Sequence, residues 1–568
     1  MAAPKALLIV PAQVEAEVVT CKDGLSFWGG VDPDTGVVID AHHPLHGQSL
    51  AGKIVLMPTS RGSCSGSGVL LQLALNGCAP ALFVFREDEE VLTLGALIAS
   101  RMFDRNVGIL RLAAEDYDRL CTKNTAKLQG NRLTASQLSV DLHQVTQNDL
   151  DLSTGDKAML AGDKGKPAAL GMDVICAMAA SQGAKRLIDV TRGHIDGCIY
   201  AHEANLTFAT TMAEMGAKVT IPTTINAISV DRENWTKHDM PPDFGRAASR
   251  LADAYVQMGA RPTFTCAPYL AEDVPQFDED IGWSESNAVI FANSVLGART
   301  AKHPDYLDLF IALTGRAPET GVYLPENRRP RVVIDVEMPN DCDDAIWPLL
   351  GWITGRLAPD RIPVLRGIEQ SAPSRDDLRA VCAAFGTTSA AALLHVAGVT
   401  PEGDIEPVAD ARHATITLAD FAAAWGALNT GSDKVDLIAL GSPHFSLEET
   451  RRFADLMANR QKHPDVSVII TLGRDTFAQA QSEGIATQLQ TAGVQFYSDL
   501  CWCSIVEPLF PTKTKTLMTN SGKYAHYAPG LSGRNVRFGG LADCAQAAVT
   551  GMAPTEPPKW ESFTKPKT

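Results

Sequence analysis

Long apolar runs are scarce in this sequence. No stretch approaches the ~18 uninterrupted apolar residues that a membrane-spanning helix needs, so no membrane partner is expected. The opening segment, MAAPKALLIVPAQVEAE, has only the five-residue apolar run ALLIV before polar residues resume. That is too short for the apolar core of a secretory signal, so export is not expected and the cytoplasm is the expected location. Positive charge is also in deficit. Lys and Arg total 50 against 66 Asp and Glu, a net charge of −16, which repels nucleic acid and anionic lipid and leaves a small molecule as the expected client. The twelve cysteines follow no regular spacing, which argues against a disulfide framework and for reduced thiols. Internal repeats, low-complexity tracts and dinucleotide fingerprints are missing too.

What is present fits a chain of 568 residues with roughly two to four domains. From Lys5 to about residue 140, the segments KIVLMP, SRGSCSGSG, VLLQLALNG and ALFVF read as strand, turn, helix and strand. The polar stretch TKNTAKLQGNRLTASQLSVDLHQVTQNDLD reads as a linker, which places a boundary near residue 145 between a small module (1–145) and a large one (146–568). In the large module, helical segments such as GMDVICAMAASQG alternate with the buried-strand runs AKVTIP, VVIDVE, VDLIALG, VSVIITL and VQFYS. That alternation predicts an α/β fold of mainly parallel sheets covered by helices, with possible subdivisions near residues 330 and 433.

The turn SRGSCSGSG concentrates groups that suit an anion. Gly62, Gly66 and Gly68 free the backbone just before a helix, Arg61 can clamp a carboxylate, and Ser63, Ser65 and Ser67 offer hydroxyls. A tight turn with capping serines is the competing interpretation. In CWCSIVEP, Cys501 and Cys503 are spaced so that both can reach one metal cluster from a loop, although bare C-x-C is weakly diagnostic. Cys266 in FTCAPYL and Cys342 in PNDCDDAIW also lie among loop residues. Asp341, Asp343 and Asp344 disfavour a thiolate at Cys342, which ranks it below Cys266. Cys21, Cys78, Cys121, Cys176, Cys198, Cys382 and Cys544 read as packing residues. His194 and Asp196 in TRGHIDG, and Ser521 and Lys523 in NSGKYAHYAPG, are polar groups in Gly-containing loops, suited to holding a carboxylate or to ordinary structural roles.

These segments, with FWGGVDPDTGVVID, KVTIPTTIN, MGARPTFTCAPY, ESNAVIFANSVLGART and GSPHFSLEE, resemble the aconitase X family in the same order along nearly the whole chain. The resemblance implies a small swivelling β/α domain fused to a large multi-subdomain α/β module of aconitase type. It also implies a hydro-lyase in which three cysteines hold an iron–sulfur cluster and a serine removes a proton. The fused arrangement, with CWCSIVEP near the end, looks like the bacterial and fungal branch acting on cis-3-hydroxy-L-proline, whose cluster is of the two-iron, two-sulfur type. A four-iron cluster and a mononuclear iron are the alternatives. Archaeal-type members carry a cysteine where this chain has Ser442. The expected ligands are therefore Cys266, Cys501 and Cys503, with Cys342 as substitute.

By the same resemblance Ser63 is the first choice of base. Arg61, His194 and Lys523 are the expected carboxylate holders, and Ser65, Ser67, Asp196 and Ser521 complete the substrate-binding set. No protein partner is required, because the small module is fused. The competing functions are dehydration of another hydroxy acid such as a phosphorylated mevalonate, electron transfer by the cluster, and non-catalytic binding.

Overall fold

A computed structural model describes residues 6–61, 63–339, 341–555 and 558; Gly62 of the serine-rich turn lies outside them. The chain forms two compact units. The first holds the chain through Thr223 together with Asp253–Ala260 and His303–Thr320; the second holds Thr224–Ala252, Arg261–Lys302 and the chain from Gly321 onward. Among the described residues no helix is long and apolar enough to cross a membrane.

The first unit is built on a nine-stranded sheet. Its parallel centre runs Val14–Thr20, Ile54–Met57, Leu82–Phe85, Gly108–Arg111. The tetrapeptides IVLM and LFVF are buried at every position, as strands covered on both faces must be. Leu7–Val10 lies antiparallel to Gly108–Arg111, with His143–Gln144 beyond it at the edge. The helix Gly66–Asn76 leaves the turn that follows Ile54–Met57, so the serines sit beyond the carboxyl end of a central parallel strand.

The stretch read as a linker is not one. It forms the antiparallel strands Thr125–Gln129, Arg132–Ala135 and Leu138–Asp141, added to the sheet at Val14–Thr20. Ala126, Leu128, Leu133, Leu138 and Val140 enter the core while their neighbours face solvent. A strand with one wet face is half polar by composition, and that composition imitates a tether. AKVTIP is likewise not a strand. Its backbone is tied to helix ends, Val219 N–H to Met258 O at 2.9 Å and Thr220 N–H to Ala312 O at 2.8 Å, and the strand begins only at Thr223.

In the second unit both larger sheets are parallel throughout, as the continuous apolar runs predict. One has the order His395–Val396, Pro363–Arg366, Val332–Val336, Arg412–Ile416. The other has the order Gln495–Ser498, Ser467–Leu472, Leu437–Leu440, Thr516–Thr519, Asn535–Phe538. Ile438, Leu440, Val468, Ile470 and Met518 bury against Phe453, Leu489 and Cys544 of the covering helices. The strands ending at Leu440, Ser498 and Thr519 release their loops at the same carboxyl edge, where ligands of open parallel sheets bind. Those loops carry Ser442 and His444, Cys501 and Cys503, and Ser521, and Lys523 follows in the first turn of the helix Gly522–Ser532.

Candidate active site

Cys266, Cys501 and Cys503 pack together with Ala227 in one buried cluster. The thiols of Cys266 and Cys503 hydrogen-bond to the sulfur of Cys501 and, with the nearby Lys523 cation, hold it well below the ordinary thiol range. Burial, and then the bond to Cys501, push Cys266 up; for Cys503 the bond to Cys501 comes first and burial second. The three sulfurs thus share one site. The Cys266 sulfur also accepts the backbone N–H of His444 at 3.3 Å. Two buried thiols and one half-buried thiol, all unbridged, with an N–H donor and a cation at hand fit a thiolate-held iron–sulfur group. Cys342 stands apart, half-buried in an acidic cleft lined by Asp341, Asp343, Asp344 and Asp377.

His444 joins the two thiol-bearing loops. Its Nε2–H donates to Leu500 O at 2.6 Å, which leaves Nδ1 to accept from the Thr265 hydroxyl at 3.0 Å. Each contact lies one residue before a cysteine. Gly441, at φ 98°, turns the chain off its strand into this segment, and a Cβ there would sit 2.0 Å from Thr471 O. Arg379 then holds His444 O at 2.6 Å while pairing with Glu449.

Lys523 lies in the first turn of the helix Gly522–Ser532, and its Nζ reaches Glu285 Oε1 at 2.9 Å. Burial alone would depress the lysine; Glu285 and the three thiols together hold it well above the usual range, so it keeps its charge. Glu285 uses its other oxygen to cap the helix Ser286–Phe291 at Ala288 N–H, 2.7 Å away. Ser521 caps the lysine's helix through Tyr524 N–H at 3.0 Å and donates to Ser442 O. Arg379, Ser442, Phe445, Asn520, Ser521 and Lys523 line a small cavity beside the thiols.

The serine-rich turn belongs to the first unit. Ser65 occupies the N-cap of Gly66–Asn76 but makes no side-chain cap bond; its hydroxyl donates instead to Asp305 Oδ2 at 2.8 Å. Ser63 donates to Ser65 Oγ at 3.3 Å, and Ser67 is tied to Cys64 O at 3.0 Å and Asp305 O at 3.3 Å. Ser65 therefore does not cap the helix with its side chain, whereas Ser63 Oγ accepts the Ser65 backbone N–H at 3.3 Å. Cys64 Sγ donates to Asp196 Oδ2 at 3.3 Å. Cys64, Asp196 and Asp305 present ligand atoms within 4.8 Å of one another. Arg61 is exposed beside the turn. His194 is fully buried, and burial carries it down to about 3, so it brings no positive charge to a carboxylate.

Glu285, His444, Arg379, Cys64 and Asp305 were not singled out from the sequence. Asp305 is 240 residues from the serine it contacts, and Glu285 is 238 from its lysine. The placement of SRGSCSGSG, ESNAV and GSPH among the recognisable segments points near three of them, Cys64, Glu285 and His444.

With this architecture, the chain belongs to the aconitase X family. Models of that family match its swivel domain at residues 4–136 and its first, second and third domains at 149–326, 330–426 and 435–550. It is a hydro-lyase, a class set by dehydratases that align along nearly its full length. One is the cis-3-hydroxy-L-proline dehydratase of Pseudomonas aeruginosa, 46% identical over 574 residues and 98% of each chain. Another is the cis-3-hydroxy-L-proline dehydratase of Hypocrea jecorina, 44% identical over 563 residues, 96% of this chain and 94% of that one. The crystal structure of Thermococcus kodakaraensis aconitase X in its holo-form is similar at a TM-score of 0.63 and 29% identity, covering 70% of this chain and 99% of that one.

Proposed function

We propose that this chain dehydrates cis-3-hydroxy-L-proline to Δ1-pyrroline-2-carboxylate, with a two-iron, two-sulfur cluster on Cys266, Cys501 and Cys503 and with Ser63 as base. The observation that carries this reading is the meeting of those three thiols with a charged, buried lysine in a chain matched end to end by two such dehydratases.

The reaction removes the C2 hydrogen and expels the C3 hydroxyl. When bound, the cluster supplies a Lewis-acidic iron, which lowers the cost of hydroxide leaving C3. The chain's own residues do the rest. His444 pins the residues preceding Cys266 and Cys501, so the thiols keep their places. Lys523, paired with Glu285, offers a positive charge at the small cavity it lines, where it favours the substrate carboxylate and the charge that grows on it as C2 loses its proton. Ser521 fixes the helix that carries Lys523. Arg61 is a second candidate for the carboxylate, whereas neutral His194 is confined to hydrogen bonding. The Ser63 hydroxyl takes the C2 proton, and its bond to Ser65 gives its own proton somewhere to go. The resulting enamine tautomerises to the cyclic imine without a further cofactor.

No obligatory protein partner is required, because the swivel domain and the three others lie in one chain. Net charge −16 disfavours nucleic acid. A thiolate-held cluster calls for a reducing compartment, which favours the cytoplasm.

The test is turnover by anaerobically purified protein of known iron content, with no electron acceptor, on cis-3-hydroxy-L-proline, its trans isomer, citrate and a phosphorylated mevalonate. The cis isomer should be consumed and the others should be much poorer. Comparable use of citrate, or activity on the phosphorylated mevalonate with inert hydroxyprolines, would overturn the substrate assignment. A requirement for an acceptor would overturn the reaction class.

A further inference from the structure

We propose that Asp305 is the terminal proton acceptor of the serine base, reached through Ser65. This rests on the reading of Ser63 as base and extends it.

A serine hydroxyl is a poor base unless its own proton has an acceptor, and the turn provides a directed path. Ser63 Oγ–H points to Ser65 Oγ at 3.3 Å, and Ser65 Oγ–H points to Asp305 Oδ2 at 2.8 Å. Ser65 is free for this role because it makes no side-chain cap bond, although it stands at the N-cap. The path is held at both ends. Ser67 bonds the backbone oxygens of Cys64 and Asp305. Gly68 lies so close to the next residue, Tyr306, that a Cβ would meet the Tyr306 hydroxyl at 2.8 Å. Tyr306 itself adopts φ 83°, an unfavourable conformation for a bulky residue that persists only where the surroundings enforce it.

Asp305 is buried, and burial raises its carboxyl, while hydrogen bonds from Cys64, Ser65 and Asp196 bring it partly back. A raised carboxyl takes a proton more readily than an exposed one. Facing it are Cys64 on the turn, Asp196 and Cys198 from the loop after Ile195, Tyr255 from its helix, and Asp308 and Tyr306 on its own segment.

The balance is as follows. The C2 proton bonds to Ser63 Oγ, the Ser63 hydroxyl proton moves to Ser65 Oγ, and the Ser65 hydroxyl proton moves to Asp305 Oδ2. The C2–H electron pair becomes the second C2–C3 bond, and the C3–O bond breaks with its pair on oxygen. The hydroxide takes a proton from solvent and leaves as water, and Asp305 returns its proton through the same serines to solvent before the next turnover. The net change is loss of one water.

The test compares the parent with Ser63→Ala, Ser65→Ala, Asp305→Asn and Asp305→Glu. The readouts are exchange of the C2 hydrogen with deuterated solvent, turnover across pH, and iron content. Asp305→Asn should lose about a hundredfold or more in exchange and turnover with iron retained. The parent should show an acid limb in its rate, which Asp305→Asn should lose and Asp305→Glu should restore, an outcome that a merely structural role would not predict. If Asp305→Asn does not fold, Ser65→Ala decides the matter, since it breaks the path without altering a buried charge. Near-parental exchange in either variant, with Ser63→Ala inactive, overturns the relay and leaves the function standing. A parent inert toward cis-3-hydroxyproline, or a fully active Ser63→Ala, overturns the underlying reading instead.

Discussion

Replacing Lys523 by Met should destabilise the protein far more than loss of one surface ion pair would, because it strands Glu285. The two groups are 2.9 Å apart with side chains only 10% and 7% exposed. Breaking a buried pair from one side costs about 3–5 kcal/mol, whereas removing both charges together is often close to neutral. Glu285→Gln keeps an acceptor for the cap at Ala288, so the double variant Lys523→Met/Glu285→Gln deletes the charges while preserving that cap. In iron-free protein, where metal binding cannot move the transition, Lys523→Met should lower Tm by about 3–7 °C. The double variant should recover a substantial part of that loss. Calorimetry at one scan rate measures both. A fall in Tm of under about 2 °C for the single variant, or strictly additive losses in the double, would refute the coupling.

Cys266→Ser, Cys501→Ser and Cys503→Ser should each lose iron–sulfur absorbance and activity, and Cys342→Ser should keep both; the reverse outcome for Cys503 and Cys342 would refute the ligand set. Burial holds His194 down to about 3 and His303 down to about 4, so below pH ~6.5 the unfolded chain binds protons that the folded chain refuses. Each histidine should therefore take about 1.4 kcal/mol per pH unit from stability as pH drops from ~6.5 toward ~4, against the opposite contribution of Glu90 and Asp308, whose carboxyls burial raises to about 7. His194→Gln should remove one proton's worth of the destabilising contribution from the pH dependence of Tm, and an unchanged slope would contradict this. Gly68→Ala should lower turnover without lowering iron content, since its Cβ would displace the Tyr306 hydroxyl and Asn205 Nδ2 that lie 2.8 and 3.3 Å away; parental turnover would show that the turn tolerates the shift.

The parallel sheets were legible because a strand covered on both faces must be apolar at every position, as in VDLIALG and VSVIITL. The meander Thr125–Asp141 was not, because alternate polar residues on its wet face imitate a tether. AKVTIP was misread for the opposite reason: it has the apolar content of a strand, but its N–H groups are satisfied at helix ends. At the site, residue type and loop context drew attention to the cysteines, the serines and Lys523. Their partners lay beyond reach, since nothing near Asp305 in the sequence says that a serine 240 residues earlier will find it. His444 is similarly hidden, because its importance lies in two contacts made across the fold to Thr265 and Leu500.

The most direct measurement of the central claim uses cis-3-hydroxy-L-proline deuterated at C2, given to anaerobically purified, iron-loaded protein with no electron acceptor present. Dehydration predicts that deuterium enters solvent in step with formation of Δ1-pyrroline-2-carboxylate, one released for each molecule of product. Product that retains the C2 deuterium, or no product until an oxidant is supplied, would contradict it.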